Sequence, residues 1–349
     1  MSKGMKYHID IAPRTLHFKQ PAGTSRGVYH VRRSWFITIT DEQGRQGVGE
    51  CAPLPRLSCD DMPDYGEQLR LVCDHFCDAG EADLQRLRPF PSMLFGLETA
   101  LQHLHAGSFR LFDTPFGRGE TGIPINGLVW MGTHDEMLRR IDEKISGGFR
   151  CIKLKIGAID FDSELRLLQH IRRVFKKEEL EIRVDANGAF NPEEAQKKLE
   201  LLAAYDIHSI EQPIRQGQWQ EMARLCRAGI IPIALDEELI GVNEPSRKEA
   251  LLDTIQPAYI ILKPSLHGGM GGTKEWLTMA RQRHIGSWMT SALESNIGLN
   301  AIAHLAALEY GPEISMPQGL GTGQLFTDNI AVPIEIRHDK LFYLVKSEE

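Results

Sequence analysis

Three carboxylates recur at nearly equal spacing in the second half of the chain, each at the end of a short apolar run. Asp185 ends LEIRVD, Glu211 ends IHSIE and Asp236 ends IIPIALD. Taken singly, each residue could be a helix cap or half of a surface ion pair. Gathered at one buried place, the three would repel one another unless a divalent cation lay between them. Because oxygen ligands suit a hard ion, the trio predicts a Mg²⁺ site, with Mn²⁺ as a possible substitute.

Three lysines accompany the carboxylates. Lys153 and Lys155 alternate within CIKLKIG, so strand geometry turns both side chains to the same face. Since their apolar neighbours must face surrounding helices, we expect both lysines to face an interior. Lys263 ends YIILK and could either point inward or extend its ammonium group to the rim. Burial and nearby positive charge lower the pKa of a lysine, which can then act as a general base.

A metal beside basic lysines is typical of proton abstraction next to a carboxylate. The α-proton of a carboxylic acid is weakly acidic, and its removal creates an enediolate that needs concentrated positive charge. A divalent cation supplies that charge while a lysine takes the proton. The sequence therefore predicts an enzyme whose partner is a small-molecule carboxylate.

The spacing of these residues indicates the elements that must position them. Lys155, Asp185, Glu211, Asp236 and Lys263 are separated by 30, 26, 25 and 27 residues, with helical patterns between the strands. Each residue lies at the carboxyl end of its strand. In an open sheet five successive ends would fan out, whereas in a closed parallel barrel they meet at one mouth. The interval therefore favours an α/β barrel of the TIM type.

The first third of the chain has a different organisation. Alternating strands in residues 1–60 are followed by helical patterns up to about residue 106, which predicts a separate α+β domain. We expect this domain to span residues 1–120 and the barrel with the active site to span 121–324. The C-terminal tail, 325–349, is expected to pack back on the first domain.

Composition narrows the possible partners. The chain has 349 residues, 42% of them hydrophobic, and a formal net charge of −7. The acidic balance speaks against nucleic acid or an anionic membrane surface, and no run of about 18 apolar residues predicts a membrane span. The opening residues lack the apolar core of a secretory signal, and the six cysteines fit no zinc or disulfide pattern. We expect a cytoplasmic protein with reduced thiols; its oligomeric state stays open.

The order and interval of the charged residues resemble those of the enolase superfamily. The matching motifs are K-x-K at Lys153, D-x-N at Asp185, E-Q-P at Glu211, D-E at Asp236 and K-P at Lys263. Two lysines flanking the carboxylates resemble the muconate lactonizing subgroup. The resemblance covers nearly the whole chain and implies a (β/α)7β barrel with an N-terminal α+β capping domain.

The resemblance also implies roles for the individual residues. The three carboxylates would bind Mg²⁺, with Asn187 supporting the metal site. Lys155 would abstract the α-proton, and Lys263 would stabilise the enediolate from the opposite face. Lys153 would orient Lys155 and contact the substrate carboxylate.

Within the subgroup, three stretches resemble members that act in menaquinone biosynthesis: GECAPLP, IPINGLVWMG and TSALESNIGLNAIAHLAA. The implied reaction is a syn β-elimination of water from 2-succinyl-6-hydroxy-2,4-cyclohexadiene-1-carboxylate through an enediolate. An N-acylamino acid racemase or a dipeptide epimerase would use the same two lysines. Dipeptide epimerases of the subgroup usually carry D-x-D where this chain has QGLGTGQLF, so the missing motif counts against an epimerase.

Substrate contacts are expected from loops over the barrel mouth. The resemblance implies two loops of the first domain, roughly Gln20–Val28 and Cys51–Leu57. Residues after the seventh barrel strand could receive the succinyl carboxylate through backbone N–H groups, although Ser291 could also be an ordinary turn residue. The expected substrate contacts are Leu54, Ser291, Ala292 and Leu293.

Two glycine-rich stretches resemble nucleotide-binding loops in composition only. HGGMGG, 267–272, lacks the order G-x-x-x-x-G-K-[ST], and GLGTGQ lacks G-x-G-x-x-G. His267 lies four residues after Lys263 and could suggest a histidine base, but Lys263 already occupies that strand end.

Overall fold

The computed structural model describes residues 7–24, 27–80, 84–157 and 159–345. Three parts of the predictions lie outside the described residues: the start of the first domain (1–6), part of the Gln20–Val28 segment (25–26) and the end of the C-terminal tail (346–349). The strands are β1 (His8–Thr24), β2 (Gly27–Thr40), β3 (Gln46–Cys51), β4 (Ile123–Pro124), β5 (Gly127–Val129), β6 (Cys151–Lys155), β7 (Glu181–Asp185), β8 (Ser209–Glu211), β9 (Ile233–Leu235), β10 (Tyr259–Leu262), β11 (Gly286–Met289), β12 (Ile334–Arg337) and β13 (Lys340–Tyr343). The α-helices are α1 (Tyr65–Ala79), α2 (Leu84–Leu87), α3 (Pro91–Ala106), α4 (His134–Ser146), α5 (Phe161–Val174), α6 (Pro192–Ala203), α7 (Trp219–Ala228), α8 (Pro245–Ile255), α9 (Gly269–Gln282) and α10 (Asn296–Tyr310).

Seven parallel strands, β5 to β11, form one sheet in sequential order. Its two edges are linked by a short eighth segment, because Gly319 bridges Thr290 beyond β11 while Gln318 bridges Ile125 before β5. The predicted (β/α)7β barrel with an α+β cap is therefore confirmed, with an eighth strand reduced to two bridging residues.

The barrel elements follow from local sequence. Strands such as β6 are buried along their whole length, so their outward side chains pack against amphipathic helices. Helix α6 begins as the sequence predicts, with the Asn191 side chain accepting a hydrogen bond from the Glu193 N–H and Pro192 in the first turn. Helix α4 begins with a capping box between Thr133 and Glu136. These boundaries fix where each strand end emerges at the barrel mouth.

The cap is an antiparallel sheet, β1–β2–β3, covered by α1 and α3. Strand β3 and helix α3 approach so closely that only glycines fit between them. A Cβ placed on Gly49 would lie 1.9 Å from the Gly96 carbonyl oxygen, and one on Gly96 would lie 2.2 Å from the Cys51 sulfur. Space, and not backbone conformation, requires glycine at these two positions.

The Gly49→Ala variant is expected to lose about 1–3 kcal/mol of stability or more, because the added methyl group must push strand and helix apart. The measurement is the urea midpoint of unfolding. Gly23→Ala in β1 is the matched control, since its new Cβ would have its nearest neighbour at 3.9 Å. Equal midpoints for the two variants would contradict the close-packing argument.

The HGGMGG stretch provides a docking position for the cap. The Glu98 carboxylate of α3 accepts hydrogen bonds from the N–H groups of Met270 (2.5 Å) and Gly271 (3.0 Å) in the first turn of α9. A Cβ on Gly269 would lie 2.2 Å from a Glu98 oxygen. A carboxylate at a helix N-terminus is favoured by the free N–H groups and the helix dipole. The glycines therefore leave room for the Glu98 side chain of the cap.

The C-terminal tail contacts both parts of the molecule. The Phe18 and Phe326 rings lie 4.6 Å apart, and the Asp328 carboxylate accepts hydrogen bonds from His17 of β1. The hairpin β12–β13 pairs with β4 on the barrel side. The division at residues 120 and 324 stays a prediction. Over the described residues, every helix is too short or too polar to cross a membrane.

Candidate active site

The five evenly spaced charged residues meet at the carboxyl ends of consecutive barrel strands. Lys155, Asp185 and Glu211 are the last residues of β6, β7 and β8, and they stand side by side in the strand register. Asp236 and Lys263 directly follow β9 and β10. All five side chains are at most 12% exposed. The barrel thus brings together residues that are far apart in sequence.

The carboxylates and lysines form one network. The Lys153 Nζ atom lies 2.9 Å from Asp185 Oδ2 and 2.5 Å from Glu211 Oε2, while the Lys155 Nζ atom lies 3.0 Å from Asp185 Oδ2. Lys263 pairs with Asp236. Lys153 and Lys155 face the barrel interior as predicted, and Lys263 points inward and does not extend to the rim.

Burial and neighbouring charges shift the pKa values of the carboxylates in opposite directions. Burial would raise the pKa of Asp185, but Lys153 and Lys155 outweigh it and hold that pKa well below its usual value. Burial, Asp185 and Asp236 together raise the pKa of Glu211 well above its usual value. Burial would lower the pKa of Lys263, but Asp236 and Glu211 outweigh it and raise that pKa. A lowered lysine pKa beside a divalent cation stays a prediction.

The oxygen atoms of this network are of the kind that a divalent cation binds. Within the described residues, Glu211 Oε1, Asp236 Oδ1 and Glu237 Oε2 are buried without a hydrogen-bond partner. Buried unpaired carboxylate oxygens are costly, and a hard cation satisfies them. Across the described part of the chain, no three acidic, histidine or cysteine side chains are arranged as a preformed metal cage. Each carboxylate of the trio pairs with a lysine instead.

Asn187 and Gln212 hold this network in place. The Asn187 Oδ1 atom accepts a hydrogen bond from Lys155 Nζ (2.7 Å), and its Nδ2 group donates to Glu237 Oε1 (2.9 Å). Burial, followed by Asp236 and Asp185, raises the pKa of Glu237 to about 7. Asn187 thus connects Lys155 to a further carboxylate, that of Glu237. Glu237 was not among the predicted site residues, although it is the second residue of the D-E motif.

Gln212 is a second residue that the sequence argument missed. Its Oε1 atom accepts hydrogen bonds from the N–H groups of Asp236 (3.3 Å) and Glu238 (3.2 Å), and its Nε2 group donates to Glu238 Oε2 (3.1 Å). The side chain therefore fixes the turn that carries Asp236. The motif E-Q-P contained this signal, because a buried glutamine needs several partners.

A cavity of about 250 Å³ opens above the lysines and is lined by both parts of the molecule. All four residues expected to contact substrate line it: Leu54, Ser291, Ala292 and Leu293. Further lining residues that the sequence argument missed are Tyr29, Asn126, Leu128, Trp130, Arg140 and Glu237. The walls combine apolar side chains such as Leu54 and Trp130 with polar ones such as Arg140, and the floor is formed by the charged network.

The backbone N–H groups after β11, which were expected to bind a carboxylate, have partners within the protein in this structure. The Ser291 N–H group donates to the Gly319 carbonyl (3.1 Å), that of Ala292 to Glu294 Oε2 (2.6 Å), and that of Leu293 to Ser291 Oγ (3.2 Å). The Ser291 N–H group is thus used by the bridge to the eighth barrel segment, and those of Ala292 and Leu293 are used within the loop itself. The three residues therefore contribute walls to the cavity without free donors.

The two cap segments expected over the barrel mouth differ in structure. The segment Gln20–Val28 is the end of the β1–β2 hairpin where it is described, and of its residues Gln20 lines the cavity. Cys51–Leu57 does leave β3 as a loop, and Leu54 and Leu57 line the cavity. Burial lowers the pKa of His267 to about 3, and its Nδ1 atom accepts a hydrogen bond from the Lys263 N–H (2.9 Å), so this ring nitrogen is occupied by the backbone.

Two protein-family models match this chain. A family model described as "Enolase C-terminal domain-like" matches residues 136–330, and one described as "MenC, N-terminal domain" matches residues 25–104. The chain therefore belongs to the enolase superfamily.

Two further comparisons narrow the assignment. The chain is 47% identical over 347 residues to an o-succinylbenzoate synthase of Desulfotalea psychrophila, covering 90% of this chain and 93% of the relative. The crystal structure of MenC from the same organism matches with a TM-score of 0.84 and 40% identity, covering 97% of this chain and all of that one. Within the superfamily, the chain belongs to the o-succinylbenzoate synthase family.

The barrel with its cap is shared more widely. A dipeptide epimerase of Enterococcus faecalis, solved with Mg and the dipeptide L-Leu-L-Tyr, matches with a TM-score of 0.82 at 18% identity, covering 98% of each chain. At that identity the match shows the common fold alone.

Proposed function

We propose that this protein is an o-succinylbenzoate synthase, a carbon–oxygen lyase of menaquinone biosynthesis. It removes water from 2-succinyl-6-hydroxy-2,4-cyclohexadiene-1-carboxylate and yields 2-succinylbenzoate. The observation that carries the reaction class is the position of two inward lysines, one on β6 and one after β10, with three strands and a charged floor between them. The 47% identity to an o-succinylbenzoate synthase supports this particular substrate.

The residues of the chain divide the reaction between them. Lys155 in its neutral form takes the proton from the carbon that bears the ring carboxylate. The electron pair of that C–H bond forms a double bond to the carboxylate carbon, and the protonated Lys263 across the barrel stabilises the negative charge of the resulting enediolate. The electron pair of the enediolate then forms the new double bond of the ring as the C–O bond breaks. Hydroxide leaves as water with the proton that Lys155 took, because a syn elimination places that lysine on the same face as the leaving group. Because the ring becomes aromatic, the catalytic task lies mainly in forming the enediolate.

A divalent cation belongs to this proposal. Asp185, Glu211 and Asp236 would hold it, and when bound it supplies the positive charge that an enediolate needs. We expect Mg²⁺, with Mn²⁺ as a possible substitute, because all the ligands are oxygen atoms. Asn187 would keep Asp185 and Lys155 in register, and Lys153 would contact both the carboxylates and the substrate.

A racemase of N-acylamino acids or a dipeptide epimerase is the alternative, because two opposed lysines suit two-base racemisation equally well. The cavity loop from Gly319 to Gln324 contains no acidic residue that could pair with the ammonium group of a dipeptide. This composition favours a substrate without such a group. We further propose that the protein acts in the cytoplasm on a small-molecule carboxylate, with neither nucleic acid nor membrane as a partner.

The test is formation of 2-succinylbenzoate by the purified protein with Mg²⁺ present, after EDTA, and after Mg²⁺ is restored. We expect turnover, its loss and its recovery. A parallel incubation in D₂O offers N-succinyl amino acids and dipeptides. Deuterium exchange at the α-carbon of either, together with no 2-succinylbenzoate, would replace the lyase by a racemase or an epimerase.

A further inference from the structure

Arg32 of strand β2 is a buried cation in the cap, and its side chain makes its hydrogen bonds to backbone carbonyl groups. It is 1% exposed, and its guanidinium donates to the oxygens of Ala52 (2.6 Å), Pro53 (2.5 Å) and Leu293 (3.2 Å), with a longer contact to Arg33 (3.4 Å). Among the described residues, no carboxylate lies within ion-pair distance of this guanidinium. Glu294 and Glu50 influence its charge from farther away.

These carbonyl groups belong to the two loops that form apolar walls of the cavity. Ala52 and Pro53 precede Leu54 in the loop of the cap, while Leu293 lies in the barrel loop after β11. Leu54 and Leu293 both line the cavity and belong to the same buried apolar cluster. One planar side chain therefore connects a wall from the cap to a wall from the barrel.

The barrel loop needs such a support. Leu293 has a φ of 65°, a left-handed conformation that a leucine rarely adopts. Strained residues persist only where their surroundings hold them, and they concentrate at binding sites. Its N–H group is held by Ser291 Oγ and its carbonyl group by Arg32 Nε, so Arg32 supplies one of the two hydrogen bonds that fix the Leu293 backbone.

Filling space does not explain an arginine here. Burying a cation is costly, and an apolar side chain of similar volume often serves the stability of a fold as well or better. The fork of an arginine can instead donate in fixed directions to several carbonyls at once, which a lysine cannot. An arginine at this position therefore holds the carbonyl groups of both cavity walls by hydrogen bonds in fixed directions.

We propose that Arg32 is a positioning residue for substrate binding, which holds the 51–57 and 291–295 loops at the spacing that the substrate ring and its succinyl chain require. The proposal rests on the proposed function. Arg32 lies behind the walls and acts through Leu54 and Leu293. Its loss is expected to weaken binding while the lysine and carboxylate floor stays in place.

The test compares Arg32→Met with Arg33→Met, an exposed neighbour on the same strand. In Arg32→Met we expect KM to rise about 10- to 100-fold with kcat within about threefold of wild type, since misplaced walls weaken binding of the substrate. Mg²⁺ affinity is expected to be unchanged. Arg33→Met is expected to match the wild type. If Arg32→Met does not fold, Arg32→Lys keeps the charge without the fork and is expected to raise KM in the same direction.

Amide hydrogen exchange tests the positioning role of Arg32 without an activity assay. We expect faster amide exchange in residues 51–57 and 291–295 of the folded variant, with the outer barrel helices unchanged. A variant that only lowers the melting temperature, with KM and loop exchange as in wild type, would overturn the proposal. If the wild-type protein forms no 2-succinylbenzoate, the proposed function is wrong. Amide exchange in the two loops is then the only test of the role of Arg32.

Discussion

Replacing Lys155 with alanine is expected to lower kcat for 2-succinylbenzoate formation by about 10²–10⁴-fold, the usual contribution of a general base. The fold is expected to survive, because Lys153 still pairs with Asp185 when Lys155 is gone. Mg²⁺ binding is expected to remain, since the three carboxylates are untouched. The measurement is the initial rate at saturating substrate, with the metal dissociation constant determined by calorimetry on the same preparation.

Two variants sharpen this result. Lys155→Arg keeps a positive charge near Asp185 but stays protonated, so it should be nearly as inactive as the alanine variant. Lys177→Ala removes an exposed lysine outside the barrel mouth and should leave the rate unchanged. Wild-type turnover in either Lys155 variant would exclude this residue as the base.

Replacing Asp236 with asparagine is expected to raise the dissociation constant for Mg²⁺ at least about 100-fold. Even partners that only support a metal ligand commonly contribute about 10- to 100-fold to affinity, and Asp236 is proposed as a ligand itself. The change also removes the charge that pairs with Lys263. Calorimetry with Mg²⁺, or electron paramagnetic resonance with Mn²⁺, measures the affinity.

The matched control is Asp253→Asn on helix α8. Asp253 forms an exposed ion pair with Arg283 on the outside of the barrel, and its loss should not change metal binding. Added Mg²⁺ at high concentration should restore part of the turnover of the Asp236 variant. An unchanged dissociation constant in Asp236→Asn would remove this residue from the ligand set.

The cap connects to the barrel by buried polar contacts as well as by apolar packing. Glu98 accepts N–H groups at the start of α9, and Glu50 accepts those of Ser295 and Gly298 at the start of α10. Both helices follow strands whose ends form the site. The position of the cap is thereby tied to the loops that close the cavity, which agrees with the role proposed for Arg32.

Much of the floor of the site could be predicted because the barrel makes a simple geometric demand. Lys155, Asp185, Glu211, Asp236 and Lys263 end successive parallel strands, and a closed sheet brings such ends together. The alternation of Lys153 and Lys155 likewise required a common face. No contact between distant loops was needed for these predictions.

The walls of the site could not be predicted in the same way. The backbone of Ser291–Leu293 looked like a set of free donors, but a loop can satisfy its own N–H groups, as it does here through Glu294 and Ser291. Residues 22–24 continue a strand because β2 is present to pair with them. Such outcomes depend on which segments meet.

The amino-acid sequence by itself determined the class of fold and the charged floor, because strand periodicity and the regular interval act over short stretches of chain. Only the tertiary structure decided that Asn187 connects Lys155 to Glu237, that Gln212 fixes the turn of Asp236, and that Arg32 joins two cavity walls. These contacts join residues 20 to 261 positions apart. Their partners are selected by the packing of whole elements, which no local pattern of side chains records.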